Sequence, residues 1–200
     1  MSRAQGRLID RTLIDATATA ITRWGLNEVT LERIAAEAGV SRATMYRRGF
    51  TRDELVSALT LEASDAYRRA ILPALARPGT ARERLHSALE ALCDTADDHL
   101  HLLAGMFLAH GEVFHQPGPD ALVVDVFAEP FERLLRDGAA DGTLRGVSPE
   151  ITATVLFNLV GWGYIHLRAA HHWKPGPTRD AIIDLVITGL QQAPVLEADA

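Results

Sequence analysis

The sequence predicts an all-α fold, and three observations predict it. Apolar residues recur three or four positions apart along most of the 200-residue chain, the spacing of amphipathic helices. The β-branched residues follow that spacing and do not alternate as they would in a half-buried strand. Helix starts and stops are written out: Thr51-Arg-Asp-Glu54 and Thr80-Ala-Arg-Glu83 are capping boxes, and Gly25, Gly39 and several Pro-Gly pairs are stops. With 48% hydrophobic residues the chain can bury a real core, and it carries no internal repeat or low-complexity tract.

Met1 to Gln5 reads as a basic arm whose Arg3, with Arg7 behind it, can touch a minor groove. The first helix is expected from about Gly6 to Trp24, with Ile9, Leu13, Ala16, Ala20 and Trp24 on one face and Trp24 plugging the core; Gly25 ends it. A second helix runs from Leu31 to about Ala38, entered through the capping hydroxyl of Thr30 and closed by Gly39. Ser41 caps a third, which reaches about Arg48. It has only two turns, so packing rather than propensity must hold it. The first capping box opens a fourth helix past Leu55, Leu59 and Tyr67 to Leu72, with Pro73 near its end. The second opens a fifth, to Asp97 or Asp98. A sixth spans His99 to His110 and is apolar at Leu102, Leu103, Met106, Phe107 and Leu108. The Gln116–Pro119 loop, Gln-Pro-Gly-Pro, cannot be helical. A seventh helix follows from Asp120 to about Ala140, with Pro130 expected to kink or split it. Asp141-Gly142 turns the chain, and Ser148-Pro149-Glu150 opens an eighth helix that reaches about His171. Pro175-Gly-Pro177-Thr178 breaks the chain before a ninth, Arg179 to about Gln192, and residues past Pro194 are expected to fray.

The stretch Thr30 to Phe50, TLERIAAEAGVSRATMYRRGF, organises the rest. Ile34, Ala35, Ala38, Val40 and Met45 face inward, and Ala35 is small where two helix axes cross. The outward face of the third helix then presents Arg42, Ala43, Thr44, Tyr46, Arg47 and Arg48. Guanidinium groups pair with guanine edges or phosphates, hydroxyls reach phosphate oxygens, and methyl groups meet thymine methyls. Two helices joined by a short turn containing Gly make a helix-turn-helix unit. The DNA-contacting set is therefore Thr30, Ser41, Arg42, Ala43, Thr44, Tyr46, Arg47, Arg48 and Arg52, the last seated where free N–H groups and a guanidinium together hold a phosphate.

From Arg7 to Leu55 the chain resembles the N-terminal domain of the TetR (tetracycline-repressor) family. The resemblance rests on the Trp-Gly stop, on Val-Thr-Leu-x-x-Ile-Ala-x-x-Ala-Gly-Val-Ser, on Thr-Met-Tyr-Arg-Arg and on a basic residue opening the fourth helix. It covers about a quarter of the chain. Arg48, Gly49 and Phe50 depart from the family's usual exit from the recognition helix. The resemblance implies a transcriptional regulator that binds a palindromic operator in double-stranded DNA, with residues 1–52 as the DNA-binding domain and 53–200 as a ligand-binding and dimerisation domain.

Charge is divided along the chain. The net charge is −6, yet residues 1–52 hold nine Arg against five acidic residues, +4, which leaves −10 for the remainder. This asymmetry orients approach to DNA. The single cysteine, Cys93, can form no internal disulfide, no signal-peptide pattern opens the chain, and Ile151 to Leu167 is too polar for a membrane span, so a cytoplasmic protein is expected.

The last two helices are apolar on more than one face. With Ala153, Gly161 and Gly163 permitting close crossing, they are expected to form a homodimer. A small, largely apolar effector is expected among Cys93, Met106, Phe107, His110, Phe114, Phe127, Phe131, Phe157, Trp162 and His166, a set of bulky apolar groups with a few polar ones. No cofactor is expected. The histidine pairs lack the i, i+4 spacing with an acid that a metal needs, and Gly161-Trp-Gly163 lacks the preceding strand of a phosphate loop. The reading is a repressor released by its effector. The competing readings are a helical enzyme with an unrecognised site and an architectural DNA-binding protein without an effector.

Overall fold

The computed structural model describes residues 9–109 and 122–191, without the side chains of residues 107–109 and 122–126. The N-terminal arm, the Gln116–Pro119 loop and the residues past Pro194 lie outside the described residues. The elements are α1 (Arg11–Trp24), α2 (Leu31–Glu37), α3 (Arg42–Arg47), α4 (Arg52–Ala76), α5 (Ala81–Asp98), α6 (Leu100–Ala109), α7 (Leu122–Ala140), α8 (Pro149–Leu156), a π-helical segment (Phe157–Trp162), α9 (Gly163–Ala169) and α10 (Pro175–Leu190). The fold is all-α, as the periodicity predicts. None of these helices is long and apolar enough to cross a membrane.

Two compact units divide the described residues: 9–66 with His101–Ala109, and Tyr67–Leu100 with 122–191. The division falls inside α4.

In the first unit, α1 starts at Arg11 rather than near Gly6. Asp10 is extended and its carboxylate accepts from the N–H of Leu13 at 3.0 Å, a cap that fixes the start. Leu13, Ala16, Ala20 and Ile21 bury one face, and the buried hydroxyl of Thr17 is satisfied by the carbonyl of Leu13 at 2.7 Å. Trp24 does not plug the core as expected. It is half-buried between the guanidinium groups of Arg23 and Arg33, 5.3 and 5.2 Å from its ring, and Leu26 and Val29 fill the interior instead. A Cβ on Gly105 of α6 would come within 2.5 Å of the Leu26 side chain, so glycine lets α6 lie close against the turn after α1.

In the second unit, α5 packs on α7 and α10, and α7 packs on α8. Leu85, Leu89, Phe131, Leu134, Leu135, Tyr164 and Ile183 are fully buried, each large side chain contributing about 1.5–3 kcal/mol by its removal from water. The Thr80 capping box forms as read, and Asp141 adds to it by accepting from the N–H of Ala81 at 2.8 Å. α7 continues as one helix through Pro130, against the expected split. α10 starts at Pro175, not Arg179. Both prolines sit in its first turn, where the N–H groups have no intrahelical partner to lose, so they open the helix rather than delay it. The eighth helix of the sequence reading is interrupted by the π segment, and its continuation, α9, ends at Ala169 before His172 takes a positive φ of 56°. Ala153 and Gly161 are buried within this unit, Gly161 against Leu92 of α5, so they do not supply an outward crossing surface.

Candidate nucleic-acid interface

The pair α2 and α3 is framed by two turns of one kind. After α2, the N–H of Gly39 donates to Ala36 O at 3.1 Å and that of Val40 to Ala35 O at 3.0 Å. After α3, Gly49 donates to Tyr46 O at 2.8 Å and Phe50 to Met45 O at 3.1 Å. Both are Schellman closures, and both need the left-handed backbone that Gly39 (φ 67°) and Gly49 (φ 66°) supply. Phe50 and Met45 are buried together at the second closure, which gives Arg48-Gly49-Phe50 its structural role: the glycine ends α3 and the phenylalanine pins that end to the core.

The same capping geometry decides which hydroxyls remain available. Thr30 accepts from Arg33 N at 3.3 Å. Ser41 accepts from Thr44 N at 3.1 Å and lies 2.9 Å from the Thr44 hydroxyl, so Thr30, Ser41 and Thr44 are engaged in holding the two helix starts. Ser41, Arg42, Ala43, Tyr46, Arg47 and Arg48 are exposed, and Thr44 is half-buried. Among the described residues the guanidinium groups of Arg47 and Arg48 have no hydrogen-bond or ion-pair partner. A two-turn helix with free cations and a phenol on its open side can receive an anionic, hydrogen-bonding surface.

Arg42 is different. Its Nε is 2.8 Å from Glu32 Oε1, its Nη2 donates to the Tyr46 hydroxyl at 3.3 Å, its guanidinium lies 5.1 Å from the Tyr46 ring centroid, and Tyr46 donates to Glu32 Oε1 at 3.4 Å. The Glu32 carboxyl is held below the usual carboxylate range, first by its own backbone N–H and further by Thr30, Arg42 and Tyr46. Sequence reasoning missed Glu32, whose position in the first turn of α2 suggests only a helix-end carboxylate.

Arg52 is also placed otherwise than expected. Its Nε donates to Val29 O at 3.0 Å, its Nη2 to Leu26 O at 2.7 Å and its Nη1 to Asp53 at 2.7 Å. The guanidinium that the sequence assigns to a phosphate is occupied by the carbonyls of the α1–α2 turn, and it braces the head from the start of α4.

The residues read as an effector set divide among several places. In the second unit Phe127 lies 5.0 Å from the Tyr67 ring and 5.3 Å from Phe157, stacked on the latter at 16°. Tyr67, missed as a member of this set, donates to Phe127 O at 3.1 Å, and burial pushes its phenol far above the usual range. Phe131 and Cys93 are fully buried, and Trp162 is half-buried at the end of the π segment. His166 is exposed, its ring 5.0 Å from that of His171, so it is a surface group and not a cavity lining. Met106 is buried in the first unit. The side chain of Phe107, and His110 and Phe114, lie outside the described residues. A surface cleft of about 290 Å³ in the second unit is lined instead by Arg77, Arg82, Glu83, His86, Ser87, Glu90 and Ile187, a polar set.

A glycine-closed pair of short helices on a three-helix unit defines the class, a helix-turn-helix protein with an all-helical second unit. The family described as "Bacterial regulatory proteins, tetR family" matches residues 13–59, which span α1 to the first turns of α4. An uncharacterized HTH-type transcriptional regulator of Mycobacterium tuberculosis is 37% identical over 83 residues. That match covers 41% of each chain, so this chain spans about two fifths of that relative's length. Another, from Mycobacterium bovis, is 26% identical over 175 residues, 87% of this chain and 82% of the relative. Among solved structures, AibR, crystallised with isovaleryl coenzyme A and operator DNA, has a TM-score of 0.67 at 18% identity. It covers 91% of this chain and 97% of its own. Over residues 13–59, about a quarter of its length, this chain is thus similar to the TetR family.

Proposed function

We propose that this chain is a sequence-specific DNA-binding transcriptional regulator, a repressor that a small apolar effector releases from its operator. The observation that carries the reading is the open face of α3: free guanidinium groups at Arg47 and Arg48 beside the Arg42–Tyr46 pair, on a helix whose both ends are fixed by capping. The functional division goes with it, residues 1–52 for DNA and 53–200 for effector and dimer.

A homodimer through α8 and α10 is part of the proposal. Ile151, Val155 and Leu159 recur at i, i+4 and i+8 and are 68%, 53% and 55% exposed, and Leu185 of α10 is 74% exposed. Four large apolar side chains facing water on α8, its π-helical continuation and α10 suit burial against a second copy. Two heads then read half-sites about 34–36 Å apart. For the effector, the Tyr67, Phe127 and Phe157 cluster beside a π segment is the apolar group best suited to open around a ligand. The operator-bound, acyl-coenzyme-A-bound relative of like fold supports the pairing of functions. Because α4 belongs to both units, it is the continuous element through which occupancy of the second unit can bias the first.

The test is enrichment of bound sequences from a random duplex library. The expected result is a palindrome whose affinity falls about 5-fold or more in Arg47→Ala, from a loss of ~1–3 kcal/mol if that side chain reads a base. Failure to enrich any sequence, or equal affinity for one half-site and the palindrome, overturns the reading.

A further inference from the structure

We infer that Glu32 is a specificity-determining positioning residue: it occupies the Nε side of Arg42, so that this arginine reads a base edge and does not add to general phosphate binding. The inference rests on the DNA-binding reading above.

The observation is a closed ring of three side chains from two helices. Arg42 Nε meets Glu32 Oε1 at 2.8 Å, Arg42 Nη2 donates to the Tyr46 hydroxyl at 3.3 Å, and that hydroxyl donates back to Glu32 Oε1 at 3.4 Å. The guanidinium only donates and the carboxylate only accepts, so the phenol between them does both. Tyr46 lies under the guanidinium plane at 5.1 Å. Among the described residues Nη1 has no partner, and Nη2 keeps a second hydrogen. The outer fork of the guanidinium is what remains free.

Two consequences follow from charge and geometry. A phosphate can take the same fork through two oxygens, but the negative charge it brings is one Glu32 already supplies, and it repels Glu32. The net gain from moving Arg42 to a phosphate is therefore small. A guanine offers O6 and N7 side by side, matched by a fork. The fork can engage them while Nε stays on Glu32, so the carboxylate loses nothing and holds the plane in place. The Arg42 and Glu32 side chains are 64% and 42% exposed, and an ion pair that open does little for stability, so it is not explained as a fold-stabilising contact. Arg47 and Arg48 carry no such carboxylate and can meet a base edge or a phosphate alike.

The experiment measures affinity for two duplexes, one of random sequence and one enriched from a random library, between 50 and 200 mM salt, for wild type, Glu32→Gln, Glu32→Ala, Arg42→Ala and the Glu32→Gln/Arg42→Ala pair. Releasing Arg42 to the phosphates should steepen the salt dependence on random DNA by about 0.9 in log–log slope. Over that fourfold salt range this is about a 3.5-fold larger loss of affinity. Binding to random DNA at 50 mM should tighten and the ratio of the two affinities should fall in both Glu32 variants. In the Arg42→Ala background, Glu32→Gln should change neither slope nor ratio. Equal tightening on both duplexes in both backgrounds would show Glu32 to be a bystander charge, and a changed melting temperature with unchanged binding would show it to be only a helix cap; either overturns the inference. If wild type binds neither duplex, the DNA-binding reading itself fails, which is a distinct result.

Discussion

Replacing Arg52 by Ala removes the brace between the start of α4 and the α1–α2 turn. Two hydrogen bonds from a charged donor to backbone carbonyls are lost, at 3.0 Å to Val29 and 2.7 Å to Leu26. Bonds to charged groups contribute about 1.5–3 kcal/mol each when well buried. The Arg52 side chain is 35% exposed, so water can replace part of what is lost, and about 1 kcal/mol per bond is the appropriate scale. The pair with the largely exposed Asp53 adds little. The sum is about 2 kcal/mol, which for a chain of this size lowers the melting temperature by roughly 4–8 °C. Calorimetry of Arg52→Ala and Arg52→Lys measures it; the lysine variant, which cannot reach both carbonyls with a planar fork, should recover less than half. DNA binding below the transition should keep its salt slope. An unchanged melting temperature together with a slope shallower by about 0.9 would refute the brace and restore the phosphate seat.

Gly138→Ala would normally stabilise a helix by about 1 kcal/mol, but here the new Cβ meets Leu144 at 2.4–2.8 Å. Overpacking of about 1–3 kcal/mol should win, and an equal or higher melting temperature would contradict the close approach. Cys93 is fully buried, and burial, with the nearby Asp94 second, pushes its thiol up to about 12. At pH 8 it should therefore resist an aromatic disulfide reagent until denaturant opens the chain, whereas stoichiometric labelling of the folded protein within seconds would overturn that. The Asp141 carboxyl is held below the usual range by the Thr143 hydroxyl first and the Ala81 N–H next. Because the folded value is the depressed one, its contribution is present above the ordinary Asp value near ~4 and is lost as pH falls through the folded value. Asp141→Asn should flatten the acid limb of the melting temperature against pH, and an unaltered limb would exclude this role.

What the sequence shows well is anything a few residues encode locally. The Thr51 and Thr80 boxes, the Asp141-Gly142 turn and the glycines after α2 and α3 all appear where read, because a cap is a contact between neighbours and its residue types follow from the N–H and C=O groups a helix end leaves open. The errors of extent have local causes of a different kind. A proline reads as a break, yet at Pro175 and Pro177 it occupies a first turn, where its fixed φ favours the helix it seems to forbid. Asp10 stands among Arg7, Arg11 and an apolar run, and no residue around it marks it as the cap that sets the start of α1.

The misread side chains share one physical feature: each is long, and its partner lies far along the chain. Arg52 reaches carbonyls 23 and 26 residues earlier, and Arg42 and Tyr46 reach a carboxylate on the preceding helix. For a guanidinium on the surface, phosphate, carboxylate and carbonyl are competing acceptors, and composition alone favours the phosphate when the surrounding residues are basic. Folding settles the choice by distance. Where a carbonyl is already bent outward by a turn, as at Leu26 and Val29, the arginine is captured and becomes part of the scaffold. Where the partner is a half-exposed carboxylate that leaves the outer nitrogens free, as at Glu32, the arginine is oriented without being used up. That difference separates a cation that holds the head together from one placed to read what the head touches.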